Sequence, residues 1–184
     1  MTPDAATPTV SLRDAVPADR AMLERWDAAP HVVACHTDDP DATVADDGDW
    51  DWAAELARAP GWREQLIAEA DGRAVGVVQI IDPAREDSHY WGDVPGGLRA
   101  LDIWIGEAAD LGRGIGTEMM RLALARCFAD GDVTAALVDP LASNVRAHRF
   151  YERLGFRAVG PRRFNDESDC LVYRLDRADW AASR

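Results

Sequence analysis

Apolar positions along the chain follow two periods. Val10-Ser11-Leu12-Arg13 alternates as a half-buried strand does, and Met22, Leu23 and Trp26 then share one face of a helix opened by Asp14 or a nearby polar residue. Residues 30–50 lose the rhythm. Pro30, Pro40 and Gly48 interrupt them, and 38–51 carries seven Asp with no base, which predicts a surface loop and then a short helix at Trp52–Ala59 stopped by Pro60-Gly61. Gln65–Ala70 and Ala74–Ile81 read as a hairpin about Asp71-Gly72, two residues that tolerate positive φ. Its second strand is almost wholly apolar and β-branched, as a central strand is. A polar insertion, Asp82–Gly97, precedes another strand at Leu98–Gly106.

Beyond Gly106 the pattern alternates between the two periods. A helix is predicted at Ile115–Phe128, a strand at Val133–Val138, a helix at Asn144–Leu154, and two last strands near Arg157–Phe164 and Cys170–Leu175. Strands dominate early and helices alternate with strands late, so the expected class is α/β with a mixed sheet. At 184 residues the chain reads as one domain, residues 1–184, with about 8–176 as the folded core.

Composition narrows the partners. Twenty basic residues stand against 33 acidic ones, a formal charge of −13, which excludes nucleic acid and an anionic membrane as main partners and favours a cationic one. All the bases are Arg. The charge is also uneven, −12 over residues 1–100 and −1 over the rest, a split that biased genomic composition would also produce. Cys35, Cys127 and Cys170 fit no metal spacing, and His31, His36, His89 and His148 share none, so no metal site is expected. Residues 1–10 lack the basic and apolar regions of a signal peptide, and no apolar run approaches a membrane span, so a cytoplasmic protein is expected.

Two segments carry candidate chemistry. Leu111-Gly112-Arg113-Gly114-Ile115-Gly116-Thr117 follows a strand and opens a helix, so its glycines let backbone N–H groups turn towards a pyrophosphate at the helix N-terminus. It is neither a P-loop, lacking Gly-Lys-Ser/Thr, nor the dinucleotide fingerprint, whose spacing differs; an ordinary strand–helix connection is the plainer reading. Further on, Asn144 and Tyr151 lie seven residues apart, about 10.5 Å along one helix face, with Ala147 keeping that face open. An amide and a phenol so placed suit a long thin ligand, while a buried structural Tyr is the alternative.

Together, Leu111–Thr117 and Asn144-x-x-Ala147-x-x-x-Tyr151-Glu152-x-x-Gly155-Phe156 resemble the acetyl-CoA site of the GNAT N-acetyltransferases. Leu98–Asp102, Leu111–Thr117, Val138-Asp139-Pro140 and Ser143-Asn144-x-Arg146-Ala147 are most similar to the aminoglycoside 6′-N-acetyltransferases, which share the departure of Leu111 from the Gln or Arg usual in the superfamily. The resemblance implies a GNAT fold: a mixed, mostly antiparallel central sheet splayed at the acetyl-CoA groove and flanked by helices. It implies transfer of acetyl from acetyl-CoA to the 6′-amino group of an aminoglycoside, conferring resistance, by a monomer or homodimer without a metal. Other amines, such as a polyamine or a siderophore hydroxylamino-lysine, are the alternative acceptors. A non-catalytic acyl-CoA-binding module is the alternative class.

The same resemblance assigns residues. Pantetheine would lie along the backbone of Ile103, Trp104 and Ile105 and against Asn144 and Ala147. The pyrophosphate would sit on Leu111, Gly112, Arg113, Gly114, Ile115, Gly116 and Thr117, with the Arg113 side chain adding charge. Tyr151 would protonate the departing thiolate, and Asp102 would orient the acceptor ammonium and take its proton. Asp139 would bind another amine. Tyr90, Trp91 and Asp93 correspond to the aromatic pair and acidic companion that meet aminosugar rings, and Trp50, Trp52, Asp46, Asp47 and Asp49 would form the opposite wall. Ile103-Trp104-Ile105 is bulkier than the family's stretch, so Trp104 either fills the core or narrows the acceptor pocket.

Overall fold

The computed structural model describes residues 8–45, 50–164 and 168–183, the side chains of residues 164 and 168 excepted. Strands β1 (Val10–Asp14), β2 (Arg63–Ala70), β3 (Arg73–Ile81), β4 (Leu98–Ile105), β5 (Ala135–Val138), β6 (Arg157–Phe164) and β7 (Ser168–Asp176) form one sheet in the order β1-β2-β3-β4-β5-β7-β6. Every neighbouring pair is antiparallel except β4 and β5. The helices are α1 (Arg20–Asp27), α2 (Pro30–His36), α3 (Trp52–Ala57), α4 (Ile115–Ala129), α5 (Val145–Arg153) and α6 (Arg177–Ala182). Asp71 and Gly72 turn the β2–β3 hairpin with φ of 50° and 79°, the conformation their side chains permit.

One expectation is corrected. Residues 30–36 are helix, not loop, because Pro30 stands in the first turn, where its missing N–H costs nothing and its fixed φ suits the helix. Val32 and Val33 bury the inner face of α2. Asp46, Asp47 and Asp49, expected on the acceptor wall, lie outside the described residues. The last helix, α6, has too short a pattern to be predicted.

The two faces of the sheet carry different cores. On one, Met119, Met120, Ala123 and Leu124 of α4 and Tyr151 of α5 pack with Leu66, Val78, Ile80 and Leu101. On the other, Leu23 and Trp26 of α1, Val32 of α2 and Trp52 of α3 cover Ile67, Val77 and Trp104. Alternation along β4 therefore sends Leu101, Ile103 and Ile105 to the first face and Ala100, Asp102 and Trp104 to the second.

Where β4 ends, the chain passes closely under α1. A Cβ on Gly106 would lie 2.1 Å from the Trp26 ring. That ring is also tied down, its Nε1 donating to Glu107 at 2.9 Å. Gly106→Ala is therefore expected to cost about 1–3 kcal/mol in chemical denaturation, the usual range for overpacking a rigid site.

Candidate active site

The parallel pairing of β4 with β5 is short, from Leu98–Ala135 to Ala100–Leu137. Carried two residues further, the register sets Asp102 beside Asp139, but there β5 has ended and β4 runs on with an open edge. Gly106 N donates to Val75 O, so by antiparallel alternation Asp102 and Trp104 pair with β3 while Ile103 and Ile105 turn their peptide groups to that edge. His31 Nε2 already donates to the Ile105 carbonyl at 2.9 Å, which leaves Ile103 the freer of the two.

This opening is the middle of a groove of about 2000 Å³. At one end lie Leu111, Gly112, Gly114, Gly116 and Thr117. Gly112 and Gly114 have φ of 75° and 80°, which points the loop's N–H groups at the start of the 15-residue α4 and strains any other L-residue there. Ile115 faces the core instead. The Arg113 guanidinium is held at 2.6 Å by Asp110, which also binds Arg73 at 2.7 Å, so one carboxylate is shared by two guanidiniums and the cluster keeps a net positive charge.

Cationic side chains also reach the groove from α5. Arg146, Arg149 and Arg153, spaced i, i+3 and i+7, line it, and among the described residues none is ion-paired. Their spacing was legible in the sequence, but only the packing of Tyr151 inward shows which way they face. Asn144 caps the same helix, its Oδ1 accepting from Ala147 N at 3.0 Å, while its side chain also hydrogen-bonds the Cys35 thiol across the groove. Ala147 is half-buried against the α4 core.

The other end is acidic and aromatic. Asp102 and Asp139 line it together with Asp38, Glu86 and Asp87. Burial, first, and the charge of Asp102, second, push Asp139 up to about 7, although Tyr90 donates to it at 2.7 Å. Burial likewise raises Asp102, with Glu86 adding to the effect and His36 and Arg63 opposing it. His36 is placed at the end of α2, its Nδ1 donating to Val32 O at 2.9 Å and its ring edge-on to Trp104 at 5.3 Å. Sequence reasoning assigned no role to His36, Glu86 or Arg63, which no motif marks.

Tyr151, 8% exposed, belongs to the α4 face, yet its ring lines the same opening. Burial, then the charges of Asp102 and Asp139, raise its pKa, and among the described residues its hydroxyl makes no hydrogen bond. Tyr90 and Trp91 both line the groove, Trp91 as a residue 4% exposed that packs with Leu98, Ala100 and Leu141. Asp93 is exposed and outside the groove lining. Trp104 is both core and wall: it packs among Trp52, Ile67 and Val77 and still lines the groove. Among the described residues there is no cluster suited to a metal ion and no helix long and apolar enough to cross a membrane.

The raised Asp139 has a testable cost. Its folded pKa of about 7 lies above the unfolded 3.8, so the native state binds the extra proton and stability contributed by the protonated form is lost as pH rises from about 4 through 7. Asp139→Asn is expected to raise the melting temperature at pH 8 and to change it little at pH 4.

Comparison with known proteins places this geometry. The family described as "Acetyltransferase (GNAT) domain" matches residues 15–164. The aminoglycoside N(6′)-acetyltransferase type 1 of Klebsiella pneumoniae is 30% identical over 154 residues, 83% of this chain and 76% of that one. A kanamycin resistance protein of Rhizobium radiobacter is 41% identical over 64 residues, 35% of this chain and 59% of its own. The crystal structure of aminoglycoside acetyltransferase AAC(6′)-Ib with coenzyme A and kanamycin superposes with a TM-score of 0.79 at 26% identity, covering 96% of this chain and 99% of that one.

Proposed function

The chain belongs to the acetyltransferase (GNAT) family, and from that premise we propose that it moves acetyl from acetyl-CoA to the 6′-amine of an aminoglycoside, in the cytoplasm, and thereby confers resistance. The observation that carries this reading is the pair Asp102 and Asp139, two residues beyond the last β4–β5 pair, with Tyr151 reaching the same opening from the opposite face. An acidic acceptor end attracts a polycation, and a cationic and amide-rich end suits CoA phosphates.

The chemistry follows from these positions. Thiol-bound acetyl enters beside the open edge of β4, where Ile103 offers backbone groups and Asn144 its amide. The N–H groups of Gly112–Thr117 take the pyrophosphate, and Arg146, Arg149 and Arg153 join Arg113 in supplying the side-chain charge. Asp102 and Asp139 hold the acceptor ammonium. Asp102 takes its proton, and the free amine attacks the thioester carbonyl. The C–N bond forms, the C–S bond breaks, and the thiolate takes the Tyr151 hydroxyl proton. Tyr90 keeps Asp139 in place through its 2.7 Å hydrogen bond.

The test is thiol release from acetyl-CoA with kanamycin, followed by mapping of the product. Acetyl on the 6′-nitrogen, and no release with an acceptor bearing a hydroxyl at that carbon, are the expected results. Turnover of polyamines alone would overturn the acceptor. Tight CoA binding with no release from any amine would overturn catalysis. Because Asp139 gains its charge only as pH rises through about 7, KM for kanamycin is expected to fall between pH 6 and 8, and Asp139→Asn to flatten that dependence.

A further inference from the structure

Registers across β2, β3 and β4 arrange the acceptor face of the sheet in rows. Ile67, Val77 and Trp104 form an apolar row; Gln65, Gln79 and Asp102 form the next; Arg63, Ile81 and Ala100 form the third. Arg63 is thus two strands and one row from Asp102, about 12 Å between backbones. Its side chain is 6% exposed. The guanidinium carbon lies 5.1 Å from the ring centres of both Trp50 and Trp62, and its Nη2 donates to Glu55.

Around it the polar atoms lack partners. Among the described residues, Arg63 Nε, Trp50 Nε1, Trp104 Nε1 and both ends of the Gln65 amide are buried with no hydrogen bond. Trp50, Arg63 and Trp104 all line the groove. Buried polar groups are nearly always satisfied, so such a concentration on one wall points to a ligand. Gln65 lies outside the groove lining, and the three atoms that belong to groove-lining residues are all donors. A donor needs an oxygen lone pair, which an ammonium does not have. Glu55 already neutralises the guanidinium and Asp87 stands on the same wall, so a carboxylate gains little there.

We propose that the acceptor end of the groove contains a second subsite, built by Trp50, Arg63 and Trp104, that accepts the neutral hydroxyls of the sugar ring carrying the reacting amine and discriminates against a second amine on that ring. The proposal rests on the aminoglycoside reading and makes it more specific. Asp102 and Asp139 choose where the amine goes; the donors opposite choose what the rest of the ring bears.

The experiment compares kanamycin A with kanamycin B, whose reacting rings differ by a hydroxyl against an amine, in kcat/KM for thiol release. The wild type is expected to favour the hydroxyl compound by about tenfold. Arg63→Met with Glu55→Gln, which removes the donor without stranding its counter-charge, is expected to bring the two within about twofold, mainly through KM. Trp50→Phe deletes a single N–H and is expected to narrow the ratio with the fold intact. Equal use of both compounds by the wild type, or an unchanged ratio in the variants, overturns the subsite alone. Release with neither compound overturns the aminoglycoside reading, and the subsite with it.

Discussion

Asp102→Asn is expected to lower kcat/KM for kanamycin by about 10²–10⁴-fold, the range that a positioned proton acceptor contributes. The substitution keeps shape and removes charge. Asp102 lies in register with Gln79 on a wall already lined by amides, so an amide fits there without a new cavity. Its carboxylate is held above its ordinary pKa by burial, which means that the charge costs stability rather than supplying it. Melting temperature at pH 8 is therefore expected to hold or rise while turnover collapses. A second readout separates role from packing: with the charge of Asp102 gone, Asp139 loses one cause of its upward shift, and the fall of KM with pH moves below pH 7. Turnover near wild type would remove Asp102 from the mechanism.

Tyr151→Phe is expected to lower kcat by about 10²-fold or more with little change in KM for acetyl-CoA. Phe keeps the ring in contact with Phe150, Phe156 and Tyr173, at centroid distances of 5.2, 5.6 and 6.3 Å, so packing is preserved. Only the hydroxyl goes. Burial and two nearby carboxylates keep that hydroxyl protonated, which is what a proton donor to a thiolate requires. If it acts on the leaving group, an acetyl thioester of a more acidic thiol narrows the gap between variant and wild type. A constant gap across thioesters would assign the loss to position instead.

Much of this was legible along the chain. The hairpin at Asp71-Gly72, the glycine loop before α4 and the Asn144–Tyr151 spacing are short-range features, set by φ preferences and helical repeat. They recover the order of the elements and the segments that line one side of the groove. The acceptor half was less legible because it is assembled across sequence distance. Trp91 and Tyr90 are adjacent, yet one is core and the other holds Asp139, 49 residues away. The pairing of Arg113 with Asp110, shared with the distant Arg73, is likewise invisible along the chain.

The charge division shows the same boundary. By itself the sequence determined that the chain is acidic, that its acidity lies before residue 100, and that a polyanionic partner would be met by Arg alone. Periodicity and turn chemistry, which are local, also determined the strands and helices. Only the tertiary structure decided that β4 and β5 part after Ala100–Leu137, because strand separation depends on what packs on both faces of the sheet. That parting brings Asp102 and Asp139 together, shifts their protons, and sets Arg63 and its indoles opposite them. Burial and through-space charge have no sequence period, so they become visible only once the chain is folded.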